Sequence, residues 1–428
     1  MASTHGKDLA MRQNKDEWQA HTFSNHEEGD TQLNFTSARI GNRNLILPDK
    51  DMVVKNKTHR ITYIEPDTSI SGASLVSGSR CEFDIAPDMF NVRGMYLILS
   101  ISNSSNDTAQ ILPPAHLLID SVRLLGNGQK ELQRLDGHDL FLCSGTFKTI
   151  AQMFSEQGLT NLTPAYTATG NIPALGSVRY WIPLHDLLPP DRKDGFPLFN
   201  IRKLKVEVRF RGSDAIIQDS SAGDGLPIVL TQLQLLLETT HYPKSEVVAL
   251  DNIHSNGISY RYPYFNEQKF DQQLVASTTY NFKCNSIRGL SPWMWICLFP
   301  QGGTGQDLFN PPAIGEWIFQ LEIRDDNNMS LTNSHKYYGE YIKHIIPADK
   351  LDNGLAESLP NTYWISFGED PYVAYREGLA LGYEYLDDAN FQITTSSTLA
   401  TANYTVRFIV PTYALLHILS SGQITYER

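Results

Sequence analysis

Two short clusters combine histidine with carboxylates, the residue types that general acid–base catalysis uses. Asp136, His138 and Asp139 lie close together in the chain, and His185 directly precedes Asp186. Each cluster could supply half of a proton-transfer pair. No serine or cysteine nucleophile lies beside them in a recognisable turn motif. Capping or surface polar residues are the better interpretation, and the sequence predicts no catalytic residues.

Other polar segments lack the spacing of a known ion or phosphate site. Residues 325–328 and 219–224 carry oxygen ligands that could bind Ca²⁺, but neither segment matches the EF-hand spacing. Turns between strands explain both segments. Residues 302–305 are rich in glycine, but no Lys-Ser/Thr pair follows them, which argues against a P-loop. We therefore predict no metal site and no cofactor.

Trp293 and Trp295 alternate with apolar residues in one predicted strand. An exposed tryptophan pair could stack on a sugar ring, whereas a buried pair would belong to the core or to an interface. The first possibility gives an alternative function, a carbohydrate-binding or carbohydrate-active β-sandwich protein. Such an enzyme would place paired Asp or Glu residues roughly 5–10 Å apart in a cleft.

The strongest structural signal lies in residues 178–210. At its end, from residue 203 to 210, polar and apolar residues alternate strictly. Because side chains on a strand point alternately to opposite faces, this pattern predicts a half-buried β-strand. An apolar strand (residues 180–184), a leucine-rich turn ending in Pro189-Pro190 and a Phe-Pro-Leu entry (residues 196–198) precede it.

Comparable patterns predict strands along most of the chain. The predicted strands cover residues 60–64, 81–85, 95–101, 117–125, 131–135, 180–184, 203–210, 228–242, 258–264, 268–275, 279–284, 293–299, 317–323, 336–345, 363–367, 380–385, 391–395 and 404–419. Asn127 and its flanking glycines predict a hairpin. Near-helical spacing of apolar residues predicts a helix over 138–154, and Pro411 predicts a bulge or a strand end.

The predicted strands form two blocks of about eight, separated by a segment without alternation. We predict an N-terminal arm (1–45), a first jelly roll (46–245), a linker (246–256) and a second jelly roll (257–428). Many short strands with Pro- and Gly-rich turns indicate a sandwich or barrel, and eight strands in two sheets is the jelly-roll plan. The predicted fold class is all-β: two tandem eight-stranded jelly rolls, a double jelly roll, with a polar arm and a few short helices.

Composition limits the partners that the chain can have. Charged residues make up only 19% of its 428 residues, and 20 tyrosines are present. A surface with few charges and many tyrosines suits extensive protein contacts, although strands also favour tyrosine and threonine. The net charge of −12 argues against direct nucleic-acid binding, which needs a basic surface.

Cysteine usage and hydropathy indicate the cellular compartment in which the chain is made. Cys81, Cys143, Cys284 and Cys297 have no metal-ligand spacing, so we expect buried free thiols. The first residues lack the apolar stretch of a signal peptide, and no segment has the roughly 18 apolar residues of a membrane span. The sequence therefore predicts synthesis in a reducing cytoplasm.

Three features together resemble the double jelly-roll major capsid proteins of tailless icosahedral DNA viruses. The first is the strand, hairpin and helix entry in residues 117–141, and the second is the segment 178–210. The third is the layout of a polar arm followed by two strand-rich halves. The resemblance implies pseudo-hexagonal homotrimers that tile an icosahedral virion shell with their strands upright. It also implies contacts with neighbouring capsomers and with minor capsid and penton proteins, and a host cytoplasmic stage before assembly.

The polar arm contains one small apolar cluster. Leu9, Met11 and Trp18 are the few large apolar residues of a short predicted helix. On the capsid interpretation, these three residues are candidate assembly contacts beneath the shell. Two partners stay open for them, the neighbouring trimers and an internal membrane. The slightly negative local charge favours the neighbouring trimers, because anionic lipid attracts basic segments.

Overall fold

The computed structural model of the protein describes residues 37–40, 43–46, 58–67, 78–86, 90–103, 109–111, 115–127, 130–147, 170–172, 176–188, 196–198, 201, 203–211, 217–219, 228–242, 258–291, 293–301, 318–322, 330–334, 362–366, 384–386, 389–395, 397, 399–419, 421 and 423–427. The predicted linker, the apolar cluster of the arm and the segments 302–305 and 325–328 lie outside these residues.

The first half of the chain contributes fourteen strands within the described residues. They are β1 (Ser37–Ile40), β2 (Arg43–Ile46), β3 (Thr58–Ile64), β4 (Arg80–Ile85), β5 (Phe90–Asn103), β6 (Ala109–Ile111), β7 (Ile119–Gly126), β8 (Lys130–Asp136), β9 (Gly170–Ile172), β10 (Ser177–Pro183), β11 (Phe196–Pro197), β12 (Leu204–Phe210), β13 (Ile217–Asp219) and β14 (Ile228–His241). Helix α1 (Gly137–Phe147) follows β8, and short 3-10 turns occupy Ala115–Leu118 and His185–Leu187.

The second half contributes eleven strands within the described residues. They are β15 (Ile258–Leu274), β16 (Thr279–Cys284), β17 (Gly289–Ser291), β18 (Trp293–Pro300), β19 (Ile318–Glu322), β20 (Ser330–Ser334), β21 (Thr362–Ser366), β22 (Glu384–Leu386), β23 (Ala389–Thr394), β24 (Ala402–Ile418) and β25 (Ile424–Glu427).

The first half folds as a jelly roll. One sheet has the order β10-β5-β14-β3, with β11 added to β5, and the other has the order β4-β12-β7-β8. The eight main strands of this half are β3, β4, β5, β7, β8, β10, β12 and β14. Counted in this order, the first sheet contains the first, eighth, third and sixth strands. The second sheet contains the second, seventh, fourth and fifth. This interleaving is the double Greek key of a jelly roll.

The second half repeats the same order. Its main strands pair as β15-β24-β18-β21 in one sheet and as β16-β23-β19-β20 in the other. The eight main strands of this half are β15, β16, β18, β19, β20, β21, β23 and β24. Counted in this order, the first of these sheets again contains the first, eighth, third and sixth strands. The other sheet again contains the second, seventh, fourth and fifth. The predicted double jelly roll is therefore confirmed from strand order alone. The hairpin β1–β2 adds to the free edge of β15, where Asn44 and Leu45 pair in parallel with Ile258 and Ser259.

The alternation in β12 places its apolar residues in the core, as predicted. Leu204, Val206, Val208 and Phe210 are all buried. Glu207, expected on a solvated face, is also buried. It is buried because guanidinium groups from both neighbouring strands, Arg80 of β4 and Arg123 of β7, form ion pairs with its carboxylate.

Two other predictions differ from the structure. Pro411 neither ends β24 nor shifts its register; it pairs with Phe265 inside one continuous ladder. On the side of β24 that faces away from β15, β18 pairs with residues 404–409 and β25 pairs with residues 415–418. Pro411 lies between these two stretches, so its missing N–H interrupts no described ladder hydrogen bond on that side. The two strands predicted at 258–264 and 268–275 are the single strand β15. The strand predicted at 336–345 lies outside the described residues.

Candidate functional site at the contact between the two jelly rolls

Arg407 lies in the middle of β24 and is almost fully buried, with a relative exposure of 1%. Its neighbour Phe408 points inward, where its ring packs against the rings of Phe270, Phe282 and Phe391. Because consecutive strand residues face opposite sides, Arg407 points to the outer face of the sheet. That face is covered by the first jelly roll, which explains why a guanidinium can be buried there.

Three carboxylates and one imidazole surround the Arg407 guanidinium. Its Nη2 lies 2.7 Å from Asp136 Oδ2 and 2.9 Å from Asp139 Oδ1. Its Nε donates to Glu267 of β15, and its Nη1 lies 2.6 Å from His138 Nδ1. The first jelly roll therefore supplies two acids and the imidazole, and the second supplies Glu267. We call these five side chains the Arg407 cluster.

Local sequence at the start of α1 positions the acids. The Asp136 backbone N–H donates to Asp139 Oδ2 at 2.9 Å, and the Asp139 N–H donates to Asp136 Oδ1 at 2.8 Å. This reciprocal pair is a capping box with aspartate in the third helical position. Gly137 lies between them, where a Cβ would come within 2.2 Å of the His116 carbonyl oxygen. The tight backbone approach therefore requires glycine.

His138 is neutral in this setting. Burial and the Arg407 charge lower the pKa of His138 to about 3. Since a guanidinium can only donate hydrogen bonds, His138 Nδ1 accepts and Nε2 carries the proton. The ring also makes an edge contact with Phe299 of β18, at a centroid distance of 6.4 Å. His138 thus serves as an acceptor and a packing residue across the contact.

The two aspartates differ in protonation. Burial, together with the charges of Asp136 and Glu267, outweighs Arg407 and raises the pKa of Asp139 to about 7. Burial also opposes ionisation of Asp136, but the attraction of Arg407 prevails and its pKa falls below the ordinary value. Burial opposes the charge on Arg407 as well, yet the surrounding carboxylates raise its pKa. The cluster therefore holds one carboxyl proton up to near neutral pH.

This difference predicts how Asp139 affects stability. Its folded pKa lies above the unfolded value of about 3.9, so the folded state binds the extra proton between pH 4 and 7. The free energy of unfolding of the wild type should therefore fall relative to that of Asp139→Asn as the pH rises from 4 to 7. The fall should be at most about 1.4 kcal/mol per pH unit. Urea unfolding of both proteins at pH 4.5, 5.5, 6.5 and 7.5 measures the difference. A difference independent of pH would contradict the assignment.

Further contacts extend the junction beyond the Arg407 cluster. Lys130 Nζ donates to the Ile424 carbonyl oxygen at 2.7 Å, and Gln133 Oε1 accepts from the Phe265 N–H at 3.5 Å. Both contacts join β8 of the first jelly roll to strands of the second. These hydrogen bonds, together with the Arg407 cluster, fix one jelly roll against the other.

The remaining candidate residues lie elsewhere. His185 Nδ1 accepts a hydrogen bond from the Met95 N–H at 3.1 Å, and its ring packs edge-on against Tyr96. Asp186 is buried in the turn after β10. Trp293 and Trp295 are buried at 2% and 0% exposure. They form no exposed stacking surface for a sugar.

All four cysteines lie within the described residues. The prediction of buried free thiols is confirmed for Cys81, Cys143, Cys284 and Cys297. Within the described residues, no group of three His, Cys, Asp or Glu side chains is arranged to hold a metal ion. The helices described are all too short or too polar to span a bilayer.

Arg407 is the central residue that the sequence interpretation missed. The pattern of β24 places it on a face expected to be polar, whereas residues 404–412 are buried throughout. One signal was available: Asp136 and Asp139 have the spacing of a capping box, which predicts their mutual hydrogen bonds. No local pattern indicates that a strand about 270 positions later supplies their cation.

No protein-family model matches the sequence, and the comparison with curated proteins gives no match. Solved structures do match. PBCV-1 VP54, in a crystal structure fitted into a reconstruction of the virophage Sputnik, aligns with a TM-score of 0.64 and 11% identity, over 89% of this chain and 99% of that one. The Faustovirus major capsid protein aligns with a TM-score of 0.61 and 10% identity, over 86% and 92%.

The fold is that of the double jelly-roll major capsid proteins. The mavirus major capsid protein adds a match that covers 95% of this chain and 94% of that one, with a TM-score of 0.50 and 11% identity. At such low identity the likeness establishes the fold, and it extends over nearly the whole chain. It agrees with the strand order found independently in each half.

Proposed function

We propose that the chain is a major capsid protein that self-assembles into homotrimers and tiles an icosahedral virion shell. The observation that carries the proposal is the repetition of one jelly-roll strand order in two halves joined by a buried contact. A subunit of this kind is a rigid block with two similar wedges. Three such blocks give six similar wedges, a pseudo-hexagonal outline that fills a flat facet with a single gene product.

A closed trimer, as proposed, differs from an open chain of subunits in the rotation that relates neighbouring copies. Contacts between unlike surfaces form closed rings when the rotation between copies closes. Upright strands would place flat sheet faces against neighbouring wedges, and loops at the outer end could vary without disturbing the sheets. Residues 155–177 and 300–315 are the proposed outer loops.

A structural role accounts for the residues that could do chemistry. Asp136, His138 and Asp139 are engaged by Arg407 and by one another. Their arrangement supplies a fixed charge pair between the two halves. We therefore propose that the chain is not an enzyme. The carbohydrate alternative relied on Trp293 and Trp295, which are buried.

The proposed partners follow from assembly. They are two further copies of the chain, neighbouring capsomers, and minor capsid and penton proteins, with the virion as the final location and the host cytoplasm as the site of synthesis. We propose that the arm, through Leu9, Met11 and Trp18, locks neighbouring trimers beneath the shell, and contact with an internal membrane is the second role considered. A net charge of −12 favours protein partners over nucleic acid.

Purified full-length protein tests the proposal. We expect a molar mass three times that of the 48.2 kDa chain by light scattering, and a hexagonal outline in negative-stain images. Under assembly conditions, closed shells should form. A chain that stays monomeric at all concentrations up to the millimolar range would overturn the proposal.

A truncated chain tests the arm separately. Deleting residues 1–36 retains the β1–β2 hairpin, which pairs with β15. We expect this variant to keep the molar mass of the trimer and to lose shell formation. Normal shells from the truncated chain would contradict the role of the arm without affecting the proposed trimer.

A further inference from the structure

Strand β8 is an element of the first jelly roll that lies along the second one. Its residues contact the second jelly roll near each end of the strand and between them. Lys130 contacts β25, Gln133 contacts β15 and Asp136 contacts β24. The strand has 7 residues, so these contacts are spread over roughly 20 Å. The two ends of β8 are therefore held by different parts of the second jelly roll.

The Lys130 end of β8 is held by Ile424 of β25. Lys130 Nζ lies 2.7 Å from the Ile424 carbonyl oxygen. The Ile424 side chain is buried, and a Cβ placed on Gly126 would come within 2.6 Å of its Cδ1. An aliphatic side chain therefore packs directly on the backbone where the hairpin between β7 and β8 begins. We call this contact the Ile424 clasp; the second jelly roll contributes no titratable group to it.

The Asp136 end of β8 is held by groups that titrate. Asp136 and Asp139 lie 2.7 and 2.9 Å from the same atom, Arg407 Nη2. Arg407 is buried, and one guanidinium balances the charge of only one of these two carboxylates. When both are ionised, the closed contact holds a desolvated negative charge without full compensation, which is costly. A proton on one of the two carboxyl groups removes that cost.

The neighbouring cations leave this imbalance in place, because each of them has another carboxylate close by. Lys269 lies 2.7 Å from Glu267, the third carboxylate of the Arg407 cluster. The Arg211 charge acts on Asp136, but the Arg211 guanidinium also lies 3.9 Å from Asp120. The closed contact therefore favours one protonated carboxyl group.

Asp139 is the carboxyl group that takes the proton. Burial, with the charges of Asp136 and Glu267, raises the pKa of Asp139 to about 7 against the attraction of Arg407. His138 adds no charge near that pH, since its pKa is about 3. If the two jelly rolls separated at this end, water would solvate Asp139 and its pKa would return to about 3.9. Between pH 4 and 7, the closed junction therefore binds one proton more than the open junction.

We propose that β8 is a pH-sensitive latch between the two jelly rolls, closed at its Asp136 end by one buried proton and tethered at its Lys130 end by the Ile424 clasp. Rising pH removes the proton and favours separation at the Asp136 end, where Asp139 gains water. The clasp limits this motion to an opening about one end of β8. The subunit is therefore stiffer in mild acid than at neutral pH. The latch lies within one chain and operates whether or not copies assemble.

Proton linkage sets the size of the effect. Between the pKa of Asp139 in the open junction and its pKa in the closed junction, each pH unit changes the ratio of open to closed junctions by up to about tenfold. The ratio rises from about pH 4, below which both states hold the proton. It levels off above about pH 7, where Asp139 is ionised in both states.

Cys297 of β18 is a natural reporter of the opening. It pairs with Arg407 in the register of β18 and β24, so its side chain lies on the same covered face of the sheet. The thiol is buried and forms no disulfide. Cys81 and Cys284 lie in the cores of the first and second jelly rolls, where a reagent reaches them only when that half unfolds. The three thiols together distinguish opening of the junction from unfolding.

Thiol labelling of the full-length chain at pH 4.5, 5.5, 6.5 and 7.5 tests the latch. A pyridyl disulfide is suitable because it also reacts with thiols in mild acid. Peptide mass spectrometry gives the rate at each cysteine, which is divided by the rate for an unstructured cysteine peptide at the same pH. The corrected Cys297 rate should rise by up to about tenfold per pH unit and level off above about pH 7, with Cys81 and Cys284 slower throughout. Equal rates at the three cysteines, or a corrected Cys297 rate independent of pH, would overturn the latch.

Substitutions separate the two ends of β8. Asp139→Asn removes the titrating carboxyl group and should give a corrected Cys297 rate that does not change with pH. Asp84→Asn replaces an exposed carboxylate of β4 and is the matched control, which should keep the wild-type pH dependence. Ile424→Ala weakens the clasp and leaves the proton in place, so it should raise the Cys297 rate by the same factor at every pH. If the Cys297 rate of Asp139→Asn still followed pH as in the wild type, the latch would be disproved.

Discussion

Replacing Arg407 with methionine is expected to lower the free energy of unfolding by about 3 kcal/mol. Methionine fills much of the same volume but, above pH 7 where Asp139 is ionised, leaves that carboxylate buried without its cation. Removing one partner of a buried ion pair typically costs 3–5 kcal/mol, because the other charge stays desolvated. We expect the lower end of that range because Asp136 and Glu267 remain partly exposed, at 20% and 36%.

Urea unfolding at pH 8, where Asp139 is ionised, measures this effect by tryptophan fluorescence. Arg209→Met is the control, because Arg209 is an exposed residue of β12 and its replacement should change stability by less than about 0.5 kcal/mol. Adding Asp139→Asn to Arg407→Met should recover part of the loss, since the two residues are coupled through one ion pair. Equal effects of the Arg407 and Arg209 substitutions would refute the role of the cluster.

The fold could be predicted from the sequence because each strand reports its own pattern. The alternation of residues 203–210 and the Asn-Gly turn after Gly126 are local signals, and β12, β7 and β8 follow them closely. Pro411 shows the limit of such signals. A proline is compatible with a strand if its ring lies where no neighbouring strand needs its N–H, and this depends on the partner strands and not on the sequence around it.

The contact between the jelly rolls could not be predicted for a related reason. Asp136 and Arg407 are separated by 271 positions, and each has an ordinary local setting, a helix start and a strand. Arg407 is buried only because a second sandwich lies on its sheet. The same limit applies to Glu207, whose burial depends on the two arginines of adjacent strands.

Replacing Trp295 with alanine is expected to lower the free energy of unfolding by about 4 kcal/mol, within the usual 3–5 kcal/mol for a buried tryptophan. Trp295 is fully buried, stacks on Phe265 at 6.1 Å and meets Trp293 edge-on at 6.1 Å. It lies on the outer face of the second jelly roll, under the first one. The loss therefore removes core packing and part of the internal contact together.

Trp181 provides the matched comparison, because it lies on the equivalent outer face of the first jelly roll, where it is half-buried in the single chain. Trp181→Ala should destabilise the dilute monomer less than Trp295→Ala does, since the side chain buries less area there. Urea unfolding of both variants at low protein concentration measures the difference. Equal losses of unfolding free energy for the Trp181 and Trp295 variants would show that the two outer faces are covered alike within one chain. A Trp295→Ala variant that kept wild-type stability but lost glycan binding would support the carbohydrate alternative.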